Sequence, residues 1–244
     1  MTEFIYIFFL ISSVILGGLF VHWNIKKKSN HKNTSKAFLA FSGGFILSIA
    51  FLDLIPHLYE SNSNSIGFFI LFGFLIQLFL EFFSGGIEHG HSNIKRKNEF
   101  PITLLIALCL HSFLEGIPLG NEMNHFSEGS YAQNLFLGIV FHQIPVSIVL
   151  MSILLTSSLS KLKAWFYLII FSMTTPLGIG IAYFSYPEIM PINESIILAI
   201  VVGIFLHLST TIIFETSENH KVNLIKLLSI LSGFALAFFS SAMH

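Results

Sequence analysis

Charge is what this sequence has least of. Of its 244 residues, 10% are Asp, Glu, Lys or Arg and 54% are hydrophobic, whereas a soluble domain carries about 25% charged residues. Too little polar surface remains to face water, which excludes a soluble globular protein. Cysteine is nearly absent as well. The single Cys109 rules out an intramolecular disulfide and a cysteine-based zinc cluster, and its simplest place is as a small buried hydrophobe. A net charge of −1 offers no basic surface for nucleic acid. No Lys or Arg precedes the first apolar core, so that segment lacks the basic start of a secretory signal and reads as a retained span.

What the sequence has is apolar length. Windows of about 20 apolar residues, enough to cross a bilayer, fall near 4–23, 37–58, 66–84, 102–120, 133–156, 164–185, 195–215 and 223–242. The connections are short, so residues 1–244 form a single polytopic membrane domain of eight helices. All 12 basic residues fall in alternate connections: Lys26, Lys27, Lys28, Lys32 and Lys36; Lys95, Arg96 and Lys97; Lys161 and Lys163; Lys221 and Lys226. The connections 59–65, 121–132 and 186–194 contain none. A miscounted span would scatter these charges. The positive-inside rule then puts the basic loops in the cytoplasm and both termini outside.

Against that apolar background, ionisable residues inside spans demand an explanation. Residues 108–120 read LCLHSFLEGIPLG. A carboxylate at mid-bilayer costs roughly 3 kcal/mol on insertion scales, yet Glu115 stands there with His111 four residues earlier on the same helical face. Ser112 borders that face. Pro118 lacks an N–H and frees the carbonyl of Leu114. Span five repeats the theme in FHQIPVS, where His142 and Gln143 precede Pro145 and the carbonyl of Phe141 is freed. Paired interrupted helices with polar side chains near the midplane point to a transport site. A lone buried His is usually a hydrogen-bonded core residue, but two His and a Glu on consecutive spans at one depth point to a site. Imidazole plus carboxylate suits Zn²⁺, with Fe²⁺, Mn²⁺, Co²⁺ and Cd²⁺ less well separated.

Other polar stretches carry weaker signals. Span two ends as FLDLIPHLYE, with Asp53 and His57 at i,i+4 and Glu60 continuing the stripe: a cation-attracting entrance or a solvated helix end. Span seven reads IFLHLSTTIIFE, where His207, Thr210, Thr211 and Glu215 line an exit path or the Thr hydroxyls bond back to their own helix. The loop after span three contains GIEHGHS, whose Glu88, His89 and His91 form a solvated loop able to collect metal weakly. Glu81 receives no role.

Taken in order, these segments resemble the ZIP (Zrt/Irt-like) family of divalent metal transporters over essentially the whole chain. LHSFLEGIPLG is similar to the family's fourth-span signature, FSMTTPLGIG (171–180) to its sixth-span Pro-Leu-Gly segment, and DLIPHLYE to the end of its second span. The resemblance implies an all-α bundle with inverted pseudo-symmetry that takes zinc, or iron or manganese, into the cytoplasm. The metal is transported substrate, with no organic cofactor. His111, Glu115 and His142 would be primary ligands with Gln143 adjacent, while Asp53 and His57 would line the entrance. One helix group (spans one, four, five and six) would slide against the other.

The departures from the pattern are informative. Many members have Asn where Ser112 stands, a carboxylate where Gln143 stands, and His or Glu at Val146. The sixth-span Glu of binuclear members falls at Thr174 or Thr175, and the seventh-span Glu is replaced by Ile212. These replacements imply one pore metal rather than two.

Among other functions, a membrane-embedded metalloprotease needs a general base in H-E-x-x-H, where this chain has HQIPV. A di-iron oxidase needs more ligands than the midplane offers. The expected partners are the lipid bilayer, a divalent ion and, as a candidate, a second copy of the chain. The expected location is the plasma membrane, or the inner membrane of a bacterium.

Overall fold

The computed structural model describes residues 2–24, 31–60, 65–84, 102–123, 131–185, 193–215 and 224–242. The regular elements among them are helices, and eight are long and apolar enough to cross a membrane. Span one is Thr2–Asn24, span three Ile66–Ser84, span four Ile102–Met123, span five Ala132–Thr156, span six Lys161–Ser185, span seven Glu194–Glu215 and span eight Leu224–Ala242. The expected windows agree with these bounds to within a few residues, because lipid-exposed backbone must satisfy its own hydrogen bonds and a long apolar run has no alternative to a helix.

Span two is built in three pieces. Helix His31–Ile49 runs into a wide turn at Ala50–Leu54 and continues as Ile55–Glu60. The Ile55 N–H reaches back five residues to the Ala50 carbonyl. Pro56 explains the widening, since its ring would clash with a carbonyl held in regular α-helical register and it has no N–H to donate. Asp53 lies within this turn.

One expectation about charge needs correction. Lys226, placed by sequence in the connection between spans seven and eight, lies inside span eight, buried, and donates from Nζ to the Ile213 carbonyl at 2.6 Å. Its ammonium thus satisfies a carbonyl in the last turn of span seven. Lys161 and Lys163 likewise belong to the first turn of span six, and Lys36 lies within the first helix of span two.

The helices pack most extensively in four pairs: four with six, two with eight, three with seven, and one with five. Lipid offers little hydrophobic drive for helix association, so backbones must approach closely, and small residues permit it. Glycines mark three of these seams reciprocally. A Cβ on Gly116 would strike the Thr175 carbonyl oxygen, and one on Gly178 would strike that of Phe113. Gly73 and Gly203 lie against Ile200 and Ile70 in the three–seven seam, and Gly44 and Gly233 against Ile230 and Phe41 in the two–eight seam. Further packing of span one on six, and of two on seven, gathers the chain into two groups: spans one, four, five and six, and spans two, three, seven and eight. They meet chiefly where span two crosses five and span three crosses four. Large apolar side chains such as Phe72, Phe79, Leu228 and Phe238 on spans three and eight point outward, as the lipid-facing sides of a bundle must.

Candidate metal centre

Three internal prolines shape the first helix group: Pro118 in span four, Pro145 in span five and Pro176 in span six. Each removes one backbone donor from its helix and loosens the turn before it. Glu115 and His142 lie in the turns before Pro118 and Pro145, and His111 one turn before Glu115. His111, Glu115 and His142 are buried to 1%, 0% and 1% exposure. One ligating atom from each lies within 4.8 Å of the others. His111 Nε2 stands 3.0 Å from Glu115 Oε1, and the two imidazole rings meet edge to face at 5.8 Å between centroids. Zinc takes N and O ligands at about 2.0–2.2 Å, which separates tetrahedral ligands by roughly 3.4 Å. Adjustments of about an ångström would close these atoms on one ion.

The carboxylate at the centre lacks ordinary compensation. Neither Glu115 oxygen has a hydrogen bond of good geometry among the described residues. A buried acceptor left so costs about 1–3 kcal/mol, and a charged one costs more. The neighbouring imidazoles, a proton or a bound cation must offset that cost. The donor set, two nitrogens and a carboxylate, fits a borderline divalent ion.

Gln143 is engaged elsewhere. Its Oε1 accepts from Ser13 Oγ at 3.2 Å and its Nε2 donates to Thr175 Oγ1 at 2.6 Å. The amide ties spans one, five and six, with both ends occupied. Thr174 turns its hydroxyl back to the Phe171 carbonyl at 2.7 Å, so Thr175 is the sixth-span residue that faces Gln143. Val146 packs in an apolar cluster with Leu108 and Leu150, Ile212 lies in the main core, and Ser112 is buried beside the site.

At the other polar stretches the structure separates what the sequence grouped. Asp53 accepts from Asn134 Nδ2 at 2.9 Å and from Ser241 Oγ at 2.8 Å, and Asn134 in turn accepts from Ser240 Oγ. His57 is exposed and lies 4.3 Å, ring to ring, from Tyr131. The wide turn at Ala50–Leu54 sends the carboxylate inward and leaves the imidazole at the rim. His207 Nε2 lies 2.5 Å from Glu81 Oε2 and meets the Phe74 ring edge to face. Thr211 bonds back to the His207 carbonyl at 2.7 Å, and Thr210 to that of Leu206 at 2.7 Å, so these hydroxyls serve their own helix. Glu88, His89 and His91 lie outside the described residues, as does the side chain of Glu215.

Three residues without a sequence-based role occupy this polar framework. Gln77 Oε1 stands 2.9 Å from His111 Nδ1, Glu81 faces His207, and Asn134 holds Asp53. A signal existed for the first two. Gln77 and Glu81 are four apart in an otherwise apolar span and so share a face.

Comparison with known proteins identifies the family. The chain matches the family described as ZIP Zinc transporter over residues 2–101 and 87–241. It is similar to zinc transporter ZIP1 of Homo sapiens, 23% identical over 245 residues covering 80% of this chain and 74% of that protein. Zinc transporter ZIP1 of Mus musculus gives the same identity and coverage. Protein zntD of Dictyostelium discoideum is 28% identical over 167 residues, spanning 62% of this chain and 24% of that longer protein. With eight spans, matches running nearly end to end and the fourth-span motif in place, the chain belongs to the ZIP family of metal transporters.

Proposed function

We propose that this protein carries zinc into the cytoplasm through a single site formed by His111, Glu115 and His142, between spans four and five. The observation that carries the reading is the convergence of those three side chains, fully buried, with ligating atoms within 4.8 Å. The positive-inside rule assigns the basic connections to the cytoplasm, and uptake toward that side is what the resemblance to the family implies. Asp53, with His57 at the rim, lies at the opposite end and attracts cations to the entrance. His207 with Glu81 stands on the cytoplasmic side of span three and offers the departing ion a second imidazole and carboxylate.

The amide of Gln143 and the hydroxyl of Thr175, hydrogen-bonded to each other, stand where the resemblance would put carboxylates around a second ion. They support one pore metal per protomer. Zinc is favoured over iron or manganese by the two imidazoles and by the zinc transporters to which the chain is similar. Relative sliding of the two helix groups would open the site alternately to each side.

The test is uptake of Zn²⁺, Cd²⁺, Fe²⁺ and Mn²⁺ into proteoliposomes by the natural chain and by His111→Ala, Glu115→Ala and His142→Ala. Saturable zinc flux in the natural chain, lost in all three variants, is the expected outcome. Undiminished flux in any one of them would remove that residue from the site.

A further inference from the structure

Span three contributes Gln77 to the edge of the site, fully buried, with Oε1 2.9 Å from His111 Nδ1. An amide oxygen only accepts hydrogen bonds, so with the amide oriented this way the contact selects the tautomer in which His111 Nδ1 donates. The remaining ring nitrogen, Nε2, then presents its lone pair, and it is the one beside Glu115 at 3.0 Å. Gln77 therefore fixes both the tautomer and the ring orientation needed for His111 to bind metal through Nε2. Its location adds a second consequence. Gln77 belongs to the group of spans two, three, seven and eight, and His111 to the group of spans one, four, five and six. The bond crosses the boundary at the level of the metal.

From this we infer that Gln77 is a positioning residue for the transported ion. It holds His111 as a strong zinc ligand in this arrangement of the helix groups and weakens the site when the groups shift and the bond breaks. The inference rests on the proposed site and deepens it: affinity in one state and release in the other are set from a helix that contributes no ligand. Partners that orient a ligating imidazole typically change metal affinity by about 10–100-fold. A relative displacement of a few ångströms between spans three and four takes an amide oxygen out of hydrogen-bond range of the ring.

The experiment is equilibrium Zn²⁺ binding by calorimetry on the purified full chain, with flux kinetics in proteoliposomes, for the natural protein, Gln77→Leu and Gln77→Glu. Leucine preserves apolar volume and removes the acceptor. Glutamate preserves an acceptor oxygen at the same reach. The expected result is a Kd raised about tenfold in Gln77→Leu, with KM rising in step while kcat holds. Gln77→Glu is expected to bind at least as tightly as the natural chain. Should Gln77→Leu fail to fold, Gln77→Met, also without an acceptor, is read the same way. Natural affinity in the leucine or methionine variant overturns the inference, as does equal weakening in the glutamate variant, which would mark Gln77 as packing only. Absence of zinc binding by the natural chain would instead strike the site itself, and loss of binding in His111→Ala alongside natural affinity in Gln77→Leu would leave the site standing without this positioning role.

Discussion

Asn134 donates from Nδ2 to Asp53 Oδ2 at 2.9 Å, joining span five to span two at the end of the molecule where span eight also supplies Ser241. The bond holds the Asp53 carboxylate, proposed above to draw cations to the entrance, inside the wide turn of span two, half-buried rather than free in water. A carboxylate in that position still projects its field outward, where mobile ions screen it over about 8 Å at physiological ionic strength. Asp53→Asn keeps the hydrogen-bonding size and removes the charge. It is expected to raise the KM for zinc uptake about threefold at low ionic strength, with the gap closing as salt is added. Initial uptake rates across a salt series provide the check. A defect that does not change with salt would show that Asp53 serves structure and not attraction.

Glu115 is fully buried among His111, His142 and apolar side chains, so its charge is costly whenever no metal is bound. A buried charge without compensation is costly, and an amide of the same shape carries none. Glu115→Gln is thus expected to melt at the same or a slightly higher temperature than the natural protein in the absence of zinc. The natural protein should gain about 2.7 kcal/mol when zinc reaches 100 times its Kd, through linkage of binding to folding, and the variant should gain almost nothing. Thermal melting with and without zinc separates the two effects. Strong zinc stabilisation of Glu115→Gln would contradict ligation by the carboxylate.

The Ser13–Gln143–Thr175 bridge makes a prediction about stoichiometry. It joins spans one, five and six by two hydrogen bonds in the bundle interior. Ser13 Oγ also reaches the Leu10 carbonyl at 2.7 Å, so removing the amide chiefly costs the Thr175 hydroxyl a partner, and interhelical bonds of this kind contribute about 0.6 kcal/mol each, up to about 1.7. Gln143→Leu is expected to lose roughly 1–2 kcal/mol of stability and still bind one zinc per protomer. Gln143→Glu combined with Thr175→Glu adds two carboxylates beside His111, Glu115 and His142 and is expected to bind two. Metal analysis of the purified proteins decides. A single zinc in the double variant would show that more than these two positions distinguishes a one-ion pore.

The number of spans was legible in the sequence because apolar length translates directly into helix length, and His111, Glu115 and His142 stood out because ionisable groups are rare at that depth. Gln77 and Glu81 marked one face of span three by their spacing, but not what that face meets, and Asn134 gave no such signal. The remaining faces are apolar throughout, so only the packing selects the partners. Gln143 misled for the opposite reason. Its neighbour His142 is a ligand candidate, but consecutive residues on a helix point about 100° apart, and the amide turns toward Ser13 and Thr175 instead. The three pieces of span two escaped notice because Pro56 announces a disturbed helix without saying whether it kinks, breaks or widens. Lys226 was misassigned since its charge suggested a loop, whereas a long stem lets an ammonium inside a helix reach a neighbouring carbonyl.

Two glycines, one inside the seam of spans four and six and one outside it, give opposite expectations from the same substitution. Gly116 of span four faces span six so closely that a Cβ would meet the Thr175 carbonyl oxygen, a backbone atom that cannot rotate away. Gly180, on span six, has nothing within 4 Å of the position where its Cβ would lie. Gly116→Ala must push spans four and six apart, and forcing extra volume into a tight contact costs typically about 1–3 kcal/mol. That separation also shifts Glu115, one residue away, relative to His142, so zinc affinity is expected to fall with stability. Gly180→Ala meets no obstacle and replaces a poor helix former by the best one, worth about 0.5–1 kcal/mol in a helix interior, so it is expected to raise the melting temperature slightly and leave zinc affinity unchanged. Melting curves and zinc titrations of the two variants, side by side, test the seam. Equal behaviour would mean that spans four and six do not approach at Gly116 as closely as the Thr175 contact requires.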